Sequence, residues 1–179
     1  LNKLDVYAGQ GRGRIYRILP RQSGKQPTRQ PLIPNLTALT DTQLAAGIDS
    51  SNGPTPDLAH QLLLWRQAKD VAPALRHMAI ESQLSAARMQ ALATFDGLGE
   101  LTPEDVTGAL QSQRAEVQRF AVKLSEPWLD KAPALRAAVV QLTATENVRL
   151  RRQVALSLGA STQADAARAI VRLLSSQQD

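Results

Sequence analysis

The chain has 179 residues and is 43% hydrophobic, so it is long enough for one ordinary domain and can bury a core. Its apolar share is mostly Ala and Leu with only 3% aromatic, which favours helix, and it has no Cys, which excludes disulfides, thiolate zinc sites, iron–sulfur ligation and haem attachment through Cys-x-x-Cys-His. The formal charge of +5 is lopsided: residues 1–35 carry seven Lys/Arg and one Asp, and residues 36–179 carry fourteen Lys/Arg and fifteen Asp/Glu, so the larger part lacks the basic body expected of a nucleic-acid binder.

Residues 1–19 alternate as strands do: Leu4-Asp5-Val6-Tyr7, then Gly9, Gly11 and Gly13, then Arg14-Ile15-Tyr16-Arg17-Ile18. A lone hairpin of this size is marginal in water, so the segment is expected to be a β remnant of a sheet whose other strands lie elsewhere. Gly9–Gly13 reads as a turn, because its spacing is wrong for a phosphate loop and no helix follows. Pro20, Pro27, Pro31 and Pro34 make residues 20–35 a linker. Leu1 is not an initiator Met and no signal-peptide pattern is present, so the chain reads as a piece of a longer protein. No apolar run is long enough to cross a membrane.

From residue 36 to 179 the pattern is helical. Thr40 predicts an N-cap with Gln43 at the capping-box position and Leu39 and Leu44 at staple spacing. Thr55-Pro56 predicts the next start, cap then Pro, with Leu58, Ala59, Leu62 and Leu63 on one face. A second pair is expected over Val71–Ser82, capped by Asp70, and over Ala86–Leu98, ended by Gly97 and Gly99. A third pair follows over Pro103–Gln111, with Thr102 as cap and Glu104 and Asp105 on the helix dipole, and over Arg114–Trp128, which Pro127 should bend or end. The fourth pair is Ala132–Thr143 and Asn147–Leu158, and Thr162 is expected to cap a last, unpaired helix.

The pairs repeat. Ala-Pro-Ala-Leu-Arg occurs at Ala72–Arg76 and again at Ala132–Arg136, 60 residues on, or two units of about 30. Ala59, Ala91, Ala121 and Val154 recur four residues after Thr55, Ala87, Val117 and Leu150. A small side chain there lets neighbouring helices approach closely, and stacked pairs bury a continuous core that one pair cannot. Arg88, Gln118 and Arg151 stand at equivalent sites just after the first residue of that register.

Candidate functional residues are few. His60 and His77 lie on different expected helices with no accompanying carboxylate pattern, so neither metal binding nor a nucleophile–His–Asp arrangement follows. Glu104 and Asp105 are explained by capping, and Asp96 by a helix end. Arg149, Arg151 and Arg152 form the cationic cluster of the helical part, but at 100° per residue they do not share one narrow face. Trp65 and Trp128 each close a second helix and are expected to pack on the next repeat, with partner anchoring as the functional alternative.

The alternation of Ala with Leu or Phe a turn further on, with Arg88 and Arg151 beside it, resembles HEAT repeats. Gly13-Arg14-Ile15-Tyr16-Arg17-Ile18, a Pro-rich linker and then short helical repeats resemble a junction in bacterial membrane-bound dehydrogenase-type proteins. There a β-propeller similar to sorbosone and quinone-dependent sugar dehydrogenases precedes HEAT repeats and a cytochrome c domain. Arg88–Leu98 and Ala155–Gly159 are similar to segments of those repeats. Pro54-Thr55-Pro56 departs from the family, which often carries aromatics there.

The expectation is therefore an all-α, HEAT-like α-solenoid with a short N-terminal β remnant. The resemblance implies a non-catalytic spacer or protein-interaction module, with no cofactor in this chain. Its partners would be the propeller and cytochrome domains or another protein, with no nucleic acid, no membrane insertion and a periplasmic setting. A free-standing HEAT scaffold for proteins or peptides is the alternative, with a nucleic-acid-binding HEAT-like protein behind it.

Overall fold

The computed structural model describes residues 35–175. The chain divides into two units, Leu1–Leu32 and Ile33–Asp179, and every described helix belongs to the second. The expected strands over residues 1–19, the Gly9–Gly13 turn and all but the last residue of the linker lie outside the described residues.

Among the described residues nine α-helices follow one another, with no strand. They are α1 (Asp41–Gly47), α2 (Pro54–Arg66), α3 (Ala72–Glu81), α4 (Ser85–Gly97), α5 (Pro103–Leu110), α6 (Ala115–Leu124), α7 (Pro133–Gln141), α8 (Val148–Leu158) and α9 (Ala164–Ser175). Successive helices pack as pairs: α1 on α2, α3 on α4, α5 on α6 and α7 on α8. Odd helices then touch the next odd helix from α1 to α9, and even helices the next even helix from α2 to α8. This two-layer neighbour pattern is compatible with an α-solenoid.

The core lies where the register puts it. Ala59, Ala91, Ala121 and Val154 are all fully buried in the even layer. One turn on, Leu63, Phe95 and Leu158 are buried as well, and each such side chain contributes about 1.5–3 kcal/mol. The third pair has Ser125 at that place, also fully buried, its hydroxyl donating to the Val122 carbonyl at 2.6 Å. Gly97 lets α4 approach α2, because a Cβ there would stand 2.8 Å from Leu64 Cδ2.

Local signals set several ends. Thr40 and Gln43 form the expected capping box on α1, and Thr102 and Asp105 form one on α5. Gly99, at φ +72°, closes α4 with its amide on the Asp96 carbonyl and the Glu100 amide on the Phe95 carbonyl, a Schellman ending. The helix α6 stops at Leu124, and Pro127 sits in a 3-10 turn, Glu126–Trp128.

Three expected caps differ. The helix α2 begins at Pro54, ahead of Thr55, whose hydroxyl accepts instead from the Asn52 side chain. Asp70 caps nothing, because a 3-10 turn, Lys69–Val71, runs straight into α3. Thr162 lies two residues before α9 and spends its hydroxyl on Asp130. In each case a neighbouring side chain or turn outcompetes the local cap.

Candidate functional site

The repeated pentapeptide builds the main polar feature of the odd layer. Its Arg76 donates from Nε to Asp105 Oδ1 at 2.6 Å, and Arg136 donates from Nε to Asp165 Oδ2 at 2.9 Å, each across 29 residues. Each pair joins the first turn or so of one odd helix to the N-terminal turn of the next, where the helix dipole also favours the carboxylate. The two pairs differ in burial. Arg76 is 47% exposed and lies 5.1 Å from the Phe95 ring centroid, while its Asp105 is only 9% exposed. Arg136 is only 10% exposed, its Asp165 is 42% exposed, and its Nη1 also donates to the Leu129 carbonyl at 2.6 Å.

Electrostatics follow that geometry. Burial pushes the Asp105 carboxyl up, but hydrogen bonds from Arg76 and Thr102 and the Arg76 charge outweigh it, so its pKa is lowered. The Arg136 hydrogen bond lowers that of Asp165, and Ser161 and Thr162 lower that of Asp130. Arg66 does a related job at the start of the unit, donating to the carbonyls of Thr37 and Leu39 and to Asp41.

The cationic cluster on α8 is dispersed. Arg149 lines a small cleft with Glu116 and Arg119. Arg151 lines a different one, of about 350 Å³, with Thr143, Thr145, Glu146 and Arg172. Arg152 is exposed. The equivalents of Arg151 are occupied internally: Arg88 Nε donates to the Ser82 carbonyl at 2.6 Å, and Gln118 Nε2 to the Leu110 carbonyl at 3.0 Å. Each ties the start of a second helix to the end of the first helix of its own pair.

Trp128 lies in the 3-10 turn after α6, half-buried against the core. Trp65 does not pack on the core: it closes α2 at 71% exposure, on the side of the helix away from the buried Ala59 and Leu63. His60 Nδ1 lies 2.8 Å from Thr94 Oγ1. Because that hydroxyl donates to the Gln90 carbonyl, the histidine is the donor. Burial lowers the His60 pKa, with Asp57 opposing. His77 lines a separate cleft beside Asp49 and Glu81. Among the described residues no three His, Cys, Asp or Glu side chains are grouped as a metal would require.

Asp165, Asp130 and the Ser82–Asp49 hydrogen bond at 2.6 Å were not singled out from the sequence. For Asp165 a signal existed: the offset from Arg76 to Asp105 is repeated from Arg136 to Asp165. No family of proteins, curated protein or solved structure matches this chain.

Proposed function

We propose that the helical part is a HEAT-like α-solenoid acting as a non-catalytic spacer and protein-interaction module. The observation that carries this reading is the reach of its polar contacts. Cross-element side-chain links join residues about one repeat apart: 29 for the two pentapeptide arginines, 31 for Ser157 to Glu126, 33 for Ser82 to Asp49 and 34 for His60 to Thr94. Nearest-neighbour bonding of that kind lets an array set a distance by its number of units. The resemblance to membrane-bound dehydrogenase-type proteins gives the context. The spacer would hold a quinone-dependent propeller relative to a cytochrome or another protein partner in the periplasm, and this chain would bind neither quinone nor haem itself.

The test is to lengthen it. Inserting a second copy of residues 72–131 adds one 60-residue period, and Ala132 then follows Lys131 as it does now. With no native Cys, a donor and acceptor can be placed at Thr42→Cys and Ala160→Cys, both exposed sites. The lengthened chain should unfold cooperatively, and the dyes should separate by roughly 16–20 Å, two interaxial spacings. Aggregation of the lengthened chain, or an unchanged dye distance, would refute a modular spacer.

A further inference from the structure

The repeat register isolates one polar site that the fold leaves unfilled. In the second pair Arg88 satisfies the Ser82 carbonyl, and its Nη1 also reaches Ser112 Oγ, 3.5 Å away in the next pair. At the equivalent place in the fourth pair stands Arg151. Its guanidinium takes no such carbonyl among the described residues. The helix α7 runs on into a 3-10 turn, Leu142–Ala144, where Thr143 donates to the Val140 carbonyl at 2.7 Å and the Thr145 amide to the Leu142 carbonyl at 3.1 Å. The residue 60 positions after Ser112 is Arg172, and it lines the same cleft as Arg151. An Arg–Ser contact is thus replaced by the guanidinium groups of two residues that line one space of about 350 Å³. Neither forms an ion pair or hydrogen bond among the described residues, and nor does Glu146 on the same wall.

We propose that this cleft binds a carboxylate side chain of an acidic segment on a protein partner. This rests on the reading of the chain as an interaction module. Two like charges in a half-enclosed space favour an anion between them. Arg151, Arg172 and Glu146 together leave one net positive charge, which matches a monoanionic carboxylate better than a dianionic phosphate. The array already pairs its arginines with carboxylates of the neighbouring unit, at Arg76–Asp105 and Arg136–Asp165, and the two arginines of the cleft carry the same donors for a carboxylate from outside.

The test uses the full chain and a fluorescein-labelled peptide of three Asp flanked by Gly and Ser, titrated by anisotropy beside its Asn counterpart. Saturable binding of the Asp peptide is expected, at least tenfold tighter than the Asn peptide. The R151Q/R172Q double variant should lose at least tenfold, and R149Q/R152Q, whose side chains lie outside the cleft, should stay within about twofold. Glu146→Gln keeps both arginines and should tighten binding. Arg172→Ser restores the upstream residue and should also weaken binding.

Equal binding by wild type and R151Q/R172Q would overturn the cleft while leaving a binding module elsewhere intact. Competition by inorganic phosphate at lower concentration than by acetate would overturn the carboxylate assignment. Absence of saturable binding by the wild type would overturn the proposal, and the dye-distance experiment would still decide the spacer independently.

Discussion

Two copies of one pentapeptide should respond differently to the same substitution. Arg136→Met keeps a long side chain but removes three hydrogen bonds. The serious loss is at the Leu129 carbonyl, which belongs to a fully buried residue and takes its side-chain bond from Arg136. A stranded buried acceptor costs about 1–3 kcal/mol. Asp165, being substantially exposed, can rehydrate, so losing that pair adds only about 0–1 kcal/mol. The total is about 1–4 kcal/mol. Arg76→Met removes a half-exposed pair and a contact over Phe95 worth about 0.5–1 kcal/mol. The Asp105 left behind keeps its bonds from the Thr102 amide and hydroxyl. That change should cost about 0.5–2 kcal/mol. Urea unfolding followed by circular dichroism measures both, read as midpoint shifts at unchanged slope. Equal losses, or a larger loss for Arg76→Met, would mean that backbone satisfaction does not separate the two copies.

Ala121→Arg should destabilise the unit by several kcal/mol, because the site is fully buried in the even layer and Arg must overpack it or bury an unpaired charge; an unchanged melting temperature would refute the register. Stability should also fall in two stages on acidification. His60 has a lowered folded pKa, so the unfolded chain takes up its proton first, and stability drops as pH falls from about 6.5 through the folded value. Asp105, Asp130 and Asp165 also have lowered folded pKa values, so their contribution is complete above about pH 4 and is lost as pH falls through those values. His60→Gln should flatten the first stage and leave the second; identical slopes between pH 7 and 5 in the two proteins would count against the histidine.

The features legible in the sequence depend on short-range or strictly periodic chemistry. A small residue at each helix–helix contact is forced by backbone approach, so Ala59, Ala91, Ala121 and Val154 were readable as core. The capping boxes at Thr40 and Thr102 were readable because cap and partner lie within one turn. Thr55, Asp70 and Thr162 were misread as caps for the complementary reason. What displaces them comes from an adjoining turn or from a residue such as Asp130, 32 positions from Thr162. Trp65 was misplaced because closing a helix does not fix which side of it a ring leaves by. The dispersal of Arg149, Arg151 and Arg152 was legible from helical rotation, but the cleft around Arg151 was not. It depends on a 3-10 extension of α7 that no residue of α8 announces.

The 60-residue spacing of Ala-Pro-Ala-Leu-Arg has a physical cause in the odd layer. An Arg at the pentapeptide position needs an acidic N-terminal turn on the next odd helix, and a helix does not offer both at the same core height. In α3 and α7 the position two after the Pro is Leu75 or Leu135, both buried, and the Arg follows it. In α5 the position two after Pro103 is Asp105, and buried Val106 takes the place of the Arg. The odd helices therefore alternate between donor and acceptor types, α3 to α5 and α7 to α9, with buried Val106 and Ala166 as matching anchors of the acceptor helices. Such alternation specifies register. Slipping the odd layer by one pair would set Arg against Leu and Asp against Val, stranding Asp105 and the nearly buried Arg136. A single-unit repeat would tolerate that slip, whereas a two-unit repeat opposes it at each joint where Arg meets Asp.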